Sequence, residues 1–253
     1  MNRTIMAVAA GLLTVAVAGP AGAAATTTPA YTMIVSKKSI NVQGNYTINP
    51  GGFGERMVLT NVSRGPNFTV DTTTKYDGKA RAFPDIFIGC SWGICSPYHT
   101  LPAKVAALMR LSRQKDPGAS LSTAGNPGGI WIPSYDIWFD PHPIHNGQAS
   151  GAEIMIWLRG PRGVRAPIVK VDGARYYFLH WRTRHNHKTW NYIQFRKVTQ
   201  VYSLRGIHIN DFIRVAEAHR LIKPSWYLLN ITAGFEIWSG GRGLKVTNFW
   251  ARG

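Results

Sequence analysis

The chain has few acidic side chains and few charges overall. Only 12 of its 253 residues are Asp or Glu, against 29 Lys or Arg, which gives a formal net charge of +17. With 16% charged residues the composition excludes a coiled coil, and 26 glycines and 15 prolines are too many for a helix bundle. The 45% content of hydrophobic residues excludes wholesale disorder. We therefore expect one β-rich domain, because sandwiches and barrels of roughly 200–250 residues commonly fold as one unit.

The chain also lacks a concentrated basic block. A strong positive charge favours polyanionic partners, but the basic residues are scattered and form no run of about five or six. The sequence therefore argues against a dedicated nucleic-acid-binding protein, and no nucleic-acid partner is expected. One alternative stays open, a basic exported protein that binds an anionic wall polymer or a nucleic acid. Its binding would weaken steeply with salt.

Long hydrophobic runs are absent beyond the N-terminus. An apolar stretch over residues 5–18 follows Arg3 and precedes small residues at 19–24, which is typical of a secretory signal. The stretch is too short to span a membrane, and no later run reaches about 18 apolar residues. We expect residues 1–25 to be a signal peptide, 26–35 a flexible lead-in and 36–253 the folded domain. The product is then secreted, extracellular or cell-wall associated, with no membrane span.

Cysteine is scarce, with two residues in the whole chain. Cys90 and Cys95 are close in sequence, and Gly93 between them permits a tight turn. Export favours a disulfide between them over a pair of free buried thiols. A metal site built on them is disfavoured because there is no second cysteine pair.

The hydrophobic pattern is mostly that of β-strands. Apolar residues alternate over residues 135–140, 153–158 and 231–238, with turn-forming residues between these segments, which predicts an antiparallel sandwich. Residues 210–221 depart from this rhythm, because their apolar positions recur at helical spacing. Asp211 near the start and Pro224 after the end suit a helix. We expect one helix packed on the sheets, and a second, shorter helical piece over residues 103–111 is an alternative reading.

Two glutamates occupy positions where strands normally carry apolar residues. Glu153 shares a strand face with Met155 and Trp157, while the alternate residues on the other face are also large and apolar. Glu236 repeats the pattern beside Trp238. A carboxylate among aromatic side chains is desolvated, which is costly and tends to raise its pKa. Such residues are candidates for chemistry rather than for solubility.

Paired carboxylates beside aromatic rings suit glycoside hydrolysis. One carboxylate acts as nucleophile, a second supplies the proton, and aromatic rings hold the apolar faces of sugars. Asp136 lies on a strand face with Trp138 and is a candidate partner for Glu153. The alternative from the residues alone is a lectin-like protein whose acids belong to its core.

Several segments together resemble glycoside hydrolase family 12, over a match from about residue 40 to the C-terminus. They are FPDIFIGC at 83–90, which is similar to actinobacterial members, YDIWFDP at 135–141, GAEIMIWL at 151–158, SWYL at 225–228 and AGFEIW at 233–238. The resemblance implies an all-β fold, a β-jelly-roll of two antiparallel sheets with a concave substrate cleft. It also implies a retaining endo-β-1,4-glucanase, a cellulase that cleaves internal bonds of β-glucan, with residues 36–253 as its catalytic domain.

The same resemblance assigns roles to individual residues. Glu153 matches the nucleophile, Glu236 the general acid/base and Asp136 an aspartate that assists the nucleophile. Retaining catalysis places the two carboxyl groups about 5–5.5 Å apart. No cofactor or metal is expected, the substrate is a β-1,4-glucan, and the protein is expected to be a monomer. The side chains expected to bind substrate are Phe53, Trp92, Trp138, Met155, Trp157 and Trp238.

Three departures from the family pattern bear on substrate preference. Phe53 stands where the family usually has a tryptophan of a sugar site, and Pro50-Gly51 stands where it has asparagines. The family's N-terminal disulfide is missing, and a basic, histidine-containing segment at 182–188 replaces a Gly- and Asn-rich hairpin. We read those histidines as a solvated hairpin tip rather than as metal ligands. A glucan-binding jelly-roll protein with weak or lost catalysis is therefore the second hypothesis.

Overall fold

The computed structural model describes residues 31–34, 39–54, 56–62, 65–146, 148–185 and 187–253. The expected signal peptide at residues 1–25 lies outside the described residues. Within the expected lead-in, Tyr31–Ile34 form a strand that pairs with Val58–Val62, so the folded domain begins earlier than residue 36. The short segment is ordered by backbone pairing with a distant strand, which its own sequence does not signal. No helix in the described part of the chain is long and apolar enough to cross a membrane.

Strands dominate the secondary structure, and we number them β1 to β17 in chain order. They are Tyr31–Ile34, Ile40–Val42, Tyr46–Asn49, Val58–Val62, Phe68–Val70, Asp85–Ser91, Ile94–Cys95, Ala103–Lys104, Gly118–Ala124, Trp131–Asp140, Ala152–Trp157, Ile168–Val171, Ala174–His185, Lys188–Lys197, Leu204–His208, Tyr227–Ile237 and Lys245–Arg252. The described residues also form two helices, α1, Val105–Leu108, and α2, Ile209–Ala218.

The strands form two sheets, as the all-β jelly-roll expectation requires. The smaller sheet has the order β1-β4-β5-β17-β9-β15, and the larger has the order β12-β13-β14-β11-β10-β16-β6-β3-β2, with β7 beside β6 and β8 beside β16. The described strands pair antiparallel, as expected, except that β11 and β14 run parallel. The chain between them makes the long crossover that parallel pairing needs, and it contains β12 and β13.

The core lies between the two sheets and is formed by every second residue of the long strands. Tyr135 and Phe139 of β10 and Ile154 and Ile156 of β11 are buried there. Because successive side chains of a strand point to opposite faces, the alternate residues of these strands face away from the core. The larger sheet thus has a second face on which a binding cleft can form.

The helix α2 confirms the expected packed helix, with slightly different bounds. The buried side of α2 packs into the core and consists of Ile209, Phe212, Ile213 and Ala216. The ring of Phe212 packs edge-on against Tyr176 and Phe195. The alternative second helical piece is present as the single turn α1. Packing of apolar side chains, rather than capping side chains, holds α2, because its N-cap His208 makes no side-chain cap hydrogen bond.

Candidate active site

A cleft of about 880 Å³ lies on the face of the larger sheet that points away from the core. The side chains that the sequence singled out meet here: Glu153, Glu236, Asp136, Phe53, Trp92, Trp138 and Met155 all line the cleft. They come from five separate parts of the chain. The alternating pattern that singled out the glutamates therefore corresponds to the face of the larger sheet that points away from the core.

The strand register explains how Asp136 and Glu153 reach the same cleft. On β10, Asp136 lies opposite Met155 of β11 on one side and Thr232 of β16 on the other. Glu153 lies opposite Trp138, two residues further along β10. Directly opposed residues of antiparallel strands share a face, so all of these side chains point into the cleft.

The Glu153 carboxyl group is buried and firmly held. Only 8% of the residue is exposed, and its Oε2 accepts a hydrogen bond of 2.7 Å from the indole Nε1 of Trp190. Trp190 stands on β14 and packs against Trp138, with 5.4 Å between the ring centroids. The carboxyl group is thereby fixed between two tryptophans on the neighbouring strands β10 and β14.

Burial and mutual repulsion control the protonation of the three acids. Burial raises the pKa of Glu153 well above its usual range, the charges of Asp136 and Glu236 raise it further, and the Trp190 hydrogen bond opposes the rise. Burial also raises the pKa of Asp136 to about 7. It raises the pKa of Glu236 to about 7, with the Asp136 charge acting in the same direction and Trp238 and Arg196 against it. One cleft thus holds acids that cannot all be ionised near neutral pH.

Comparison with known proteins decides the family. The family model for glycosyl hydrolase family 12 matches residues 120–252, which include Asp136, Glu153 and Glu236. A probable cellulase, Cel12b of Mycobacterium tuberculosis, is 30% identical over 129 residues, which are 49% of this chain and 82% of that protein. The chain belongs to glycoside hydrolase family 12. The family expected from the sequence is thereby confirmed.

Solved structures of family 12 enzymes support the same conclusion. A metagenome-derived family 12 endoglucanase is 32% identical, with a TM-score of 0.75 over 88% of this chain and 97% of that chain. The endoglucanase cel12A from Rhodothermus marinus is 30% identical, with a TM-score of 0.74 over 88% and 98% of the two chains. The jelly-roll fold expected from the sequence is confirmed.

The rim of the family 12 cleft carries exposed aromatic rings. Phe53 is 56% exposed and Trp92 is 52% exposed. Trp92 sits in the loop that the Cys90–Cys95 disulfide closes, so the disulfide expected from the sequence is present. The Trp92 ring meets Trp138 edge to face at 6.5 Å. The disulfide therefore anchors a rim ring above the strand that carries Asp136.

Two expected substrate-binding residues lie at the margin of the family 12 cleft instead of among its lining side chains. Trp157 packs with Phe83, Ile132 and Met155, and the Arg196 guanidinium covers its ring at 4.6 Å. Trp238 lies beside Tyr76, with 6.5 Å between ring centroids. Both share the face of the sheet that alternation predicts, but neither ring is among the side chains that line the cleft.

A fourth buried acid of the cleft, Asp85, was missed by the sequence analysis. It is 5% exposed, its Oδ2 accepts a hydrogen bond of 3.2 Å from Asn49 Nδ2, and its Oδ1 has no hydrogen-bond partner within the described residues. Burial, and then the charge of Asp136, raises the pKa of Asp85 well above its usual range. The signal was an aspartate within the apolar segment 83–90, the same anomaly that marked Glu153.

Further lining residues were missed because they come from strands that pair far along the chain. Trp190 and Tyr192 of β14 reach the cleft through the parallel pairing with β11. His185, at the end of β13, also lines the cleft, whereas a solvated hairpin tip was predicted there. The remaining lining side chains that were not expected are Asn49, Lys79, Ala80, Phe83, Ser91, Ile94, Gln148 and Thr232.

Proposed function

We propose that the protein is a retaining endo-β-1,4-glucanase that cleaves internal bonds of β-glucan by double displacement. The protein is a glycoside hydrolase of family 12, and relatives named as a probable cellulase and as endoglucanases support this activity. The observation that carries the mechanism is the presence of Glu153 and Glu236 in one desolvated cleft with Asp136 acting on both. A protein that only binds glucan has no need of such acids.

In the first step Glu153 is the nucleophile and Glu236 the acid. A Glu153 oxygen forms a bond to the anomeric carbon as the glycosidic bond breaks, and Glu236 gives its proton to the departing oxygen. A general acid must hold its proton at the working pH, and the pKa of Glu236, raised to about 7, meets that need on the acid side of neutrality.

In the second step Glu236, now ionised, takes a proton from a water molecule. The water oxygen attacks the anomeric carbon, the bond to Glu153 breaks, and the sugar leaves with its original configuration. Glu236 is then protonated again and Glu153 is ionised, so the cleft returns to its starting state.

Trp190 and a protonated Asp136 favour the ionised form of Glu153, which the nucleophile needs. The indole N–H of Trp190 can only donate, so its hydrogen bond favours the ionised form of Glu153. Because burial raises the pKa of Asp136 to about 7, Asp136 holds its proton below neutral pH, and the repulsion that an ionised Asp136 exerts on the Glu153 charge is then absent. Asp136 thereby assists the nucleophile without taking part in bond formation.

The polymer lies along the cleft, with its sugar rings against aromatic side chains. Phe53 and Trp92 at the rim expose enough ring surface to cover the apolar faces of glucosyl units. Phe53 offers a smaller ring than the tryptophan usual in the family, and we expect weaker binding of the sugar held there.

We also propose that the protein is exported and acts as a monomer. Export is supported by the signal-like residues 1–25 and by the Cys90–Cys95 disulfide, which suits an oxidising compartment. A monomer is supported by the cleft, whose acids and aromatic rings all come from one chain.

The direct test of activity is release of reducing ends from soluble β-glucan. The wild type should release them and Glu153→Gln should not, because an amide cannot act as the nucleophile. Glu217→Gln is the matched control, since it makes the same change on helix α2, away from the cleft, and it should keep wild-type activity. If the wild type binds β-glucan without releasing reducing ends, the protein is the glucan-binding jelly-roll of the second hypothesis.

A further inference from the structure

An exposed tryptophan extends the aromatic surface of the cleft beyond its lining residues. Trp181 of β13 is 47% exposed and stacks on Tyr192 of β14, with ring centroids 4.3 Å apart and 28° between the ring planes. Tyr192 lines the cleft and lies opposite Glu153 in the parallel pair of β11 and β14. Trp181 is therefore continuous with the site that holds the proposed nucleophile.

The strand register places Trp181 on the cleft face of the sheet. Trp181 lies directly opposite Tyr192 in an antiparallel pair, so the two side chains share a face. Strands β13, β14 and β11 are neighbours in that order, and the spacing of about 4.8 Å between strands puts Trp181 roughly 10 Å from the Glu153 strand. His185, four residues further along β13, also lines the cleft, so this strand continues the same surface.

The surroundings leave one ring face of Trp181 available. Tyr192 covers the other face, and β12 pairs with β13 only as far as Tyr177, so among the described strands none flanks β13 beside Trp181. The half-exposed indole beside the cleft keeps apolar ring surface that the apolar face of a sugar can cover. A ring held rigid by a stacked partner loses little conformational freedom on binding, which suits a platform for a sugar.

We propose that Trp181, supported by Tyr192, is an additional binding platform for a glucosyl unit at the β13 edge of the cleft, and that it makes the enzyme favour long glucan chains. The inference rests on the proposed function for the identity of its ligand. A chain long enough to reach from the catalytic acids to β13 gains the contact with Trp181, whereas a short oligosaccharide held at the acids does not.

The test measures binding and length dependence together. The catalytically inactive Glu153→Gln protein is titrated by calorimetry with cellotriose and with cellohexaose, with and without Trp181→Ala. We expect Trp181→Ala to weaken cellohexaose binding about three- to tenfold, the range for a lost ring contact, and to leave cellotriose binding unchanged. Trp181→Phe, which keeps a smaller ring, should lose less.

The matched control is Trp250→Ala. Trp250 is 43% exposed but lies on β17 of the other sheet, under the Arg252 guanidinium, so its loss should affect neither oligosaccharide. Equal losses for both lengths, unchanged cellohexaose binding, or an equal effect of Trp250→Ala would each overturn the platform. Wild-type hydrolysis of β-glucan is measured in parallel. If the wild type hydrolyses β-glucan but Trp181→Ala does not selectively weaken cellohexaose binding, this inference alone is refuted. If Trp181→Ala selectively weakens cellohexaose binding but the wild type has no hydrolytic activity, only the proposed function is refuted.

Discussion

Trp190 and Glu153 are joined by a hydrogen bond of 2.7 Å across the parallel strands β14 and β11. The donor is an indole that packs on Trp138, and the acceptor is a carboxyl group that is almost wholly buried. Because burial and two neighbouring acids raise the pKa of Glu153, this bond is the contact that favours the ionised form. It links the packing of β14 to the chemistry of the cleft.

Replacing Trp190 tests that link. Trp190→Phe keeps an aromatic ring against Trp138 but removes the donor, so the pKa of Glu153 should rise further and less of the nucleophile should be ionised. We expect kcat/KM on soluble β-glucan to fall about tenfold or more, since hydrogen bonds to charged groups contribute roughly 1.5–3 kcal/mol. The acidic limb of the pH profile should move to higher pH. A uniform loss at every pH would show that Trp190 acts only in packing.

The alkaline limb of the same profile should report Glu236. Its pKa is raised to about 7, and the acid must be protonated, so activity should decline as the pH rises through about 7. The Arg196 charge lowers the pKa of Glu236, so Arg196→Met should shift the decline to higher pH. Arg175→Met, which changes an exposed arginine on β13, is the control. If Arg196→Met leaves the pH of the alkaline decline unchanged, a group other than Glu236 determines that decline.

Asp85 should lower stability at high pH. Its pKa is raised in the folded protein, so its contribution to stability is present below its unfolded pKa of about 3.9 and is lost as the pH rises through its folded value. Asp85→Asn should therefore raise the Tm at about pH 8, by about 2–4 °C for each kcal/mol of stability recovered. At about pH 3 the Tm should be unchanged. Asp71→Asn alters an acid whose side chain is 49% exposed and should show no such pH-dependent gain. An equal gain at both pH values would contradict the electrostatic cause.

The disulfide should contribute both stability and substrate binding. It closes a short loop with a sequence separation of 5, for which loop closure is worth about 2 kcal/mol. The double variant Cys90→Ser, Cys95→Ser should lose several degrees in Tm, and its KM for β-glucan should rise because Trp92 is no longer held at the rim. Wild-type protein treated with a reductant should show the same fall in Tm and the same rise in KM. A lower Tm with unchanged KM would show that Trp92 does not contact substrate.

Strand alternation was enough to find the three acids assigned to catalysis. It separates the two faces of each strand from local sequence alone, and Glu153, Asp136 and Glu236 each break the apolar pattern beside a tryptophan. The fold class follows from the same pattern, and the packed helix follows from its change of period. These features depend on residues that are close in the chain, so the sequence contains them directly.

The partners of these acids depend on pairings that the sequence does not display. Trp190 lies 37 residues from Glu153, and the two meet only because the crossover through β12 and β13 makes β14 parallel to β11. Arg196 on the same strand covers Trp157, which shares a strand face with Glu153 and which the family resemblance had placed in the cleft. Local patterns predict which face a side chain occupies, but not what lies next to it.

Trapping of the covalent intermediate tests the proposed mechanism most directly. A 2-deoxy-2-fluoro cellobioside with a good leaving group should label the protein, and peptide mapping by mass spectrometry should place the sugar on Glu153, since this carboxylate forms the glycosyl-enzyme. The product of normal turnover should keep the β configuration in a time-resolved NMR measurement. A label on Asp136, Asp85 or Glu236, or an inverted product without a label, would contradict the assignment of Glu153 as nucleophile.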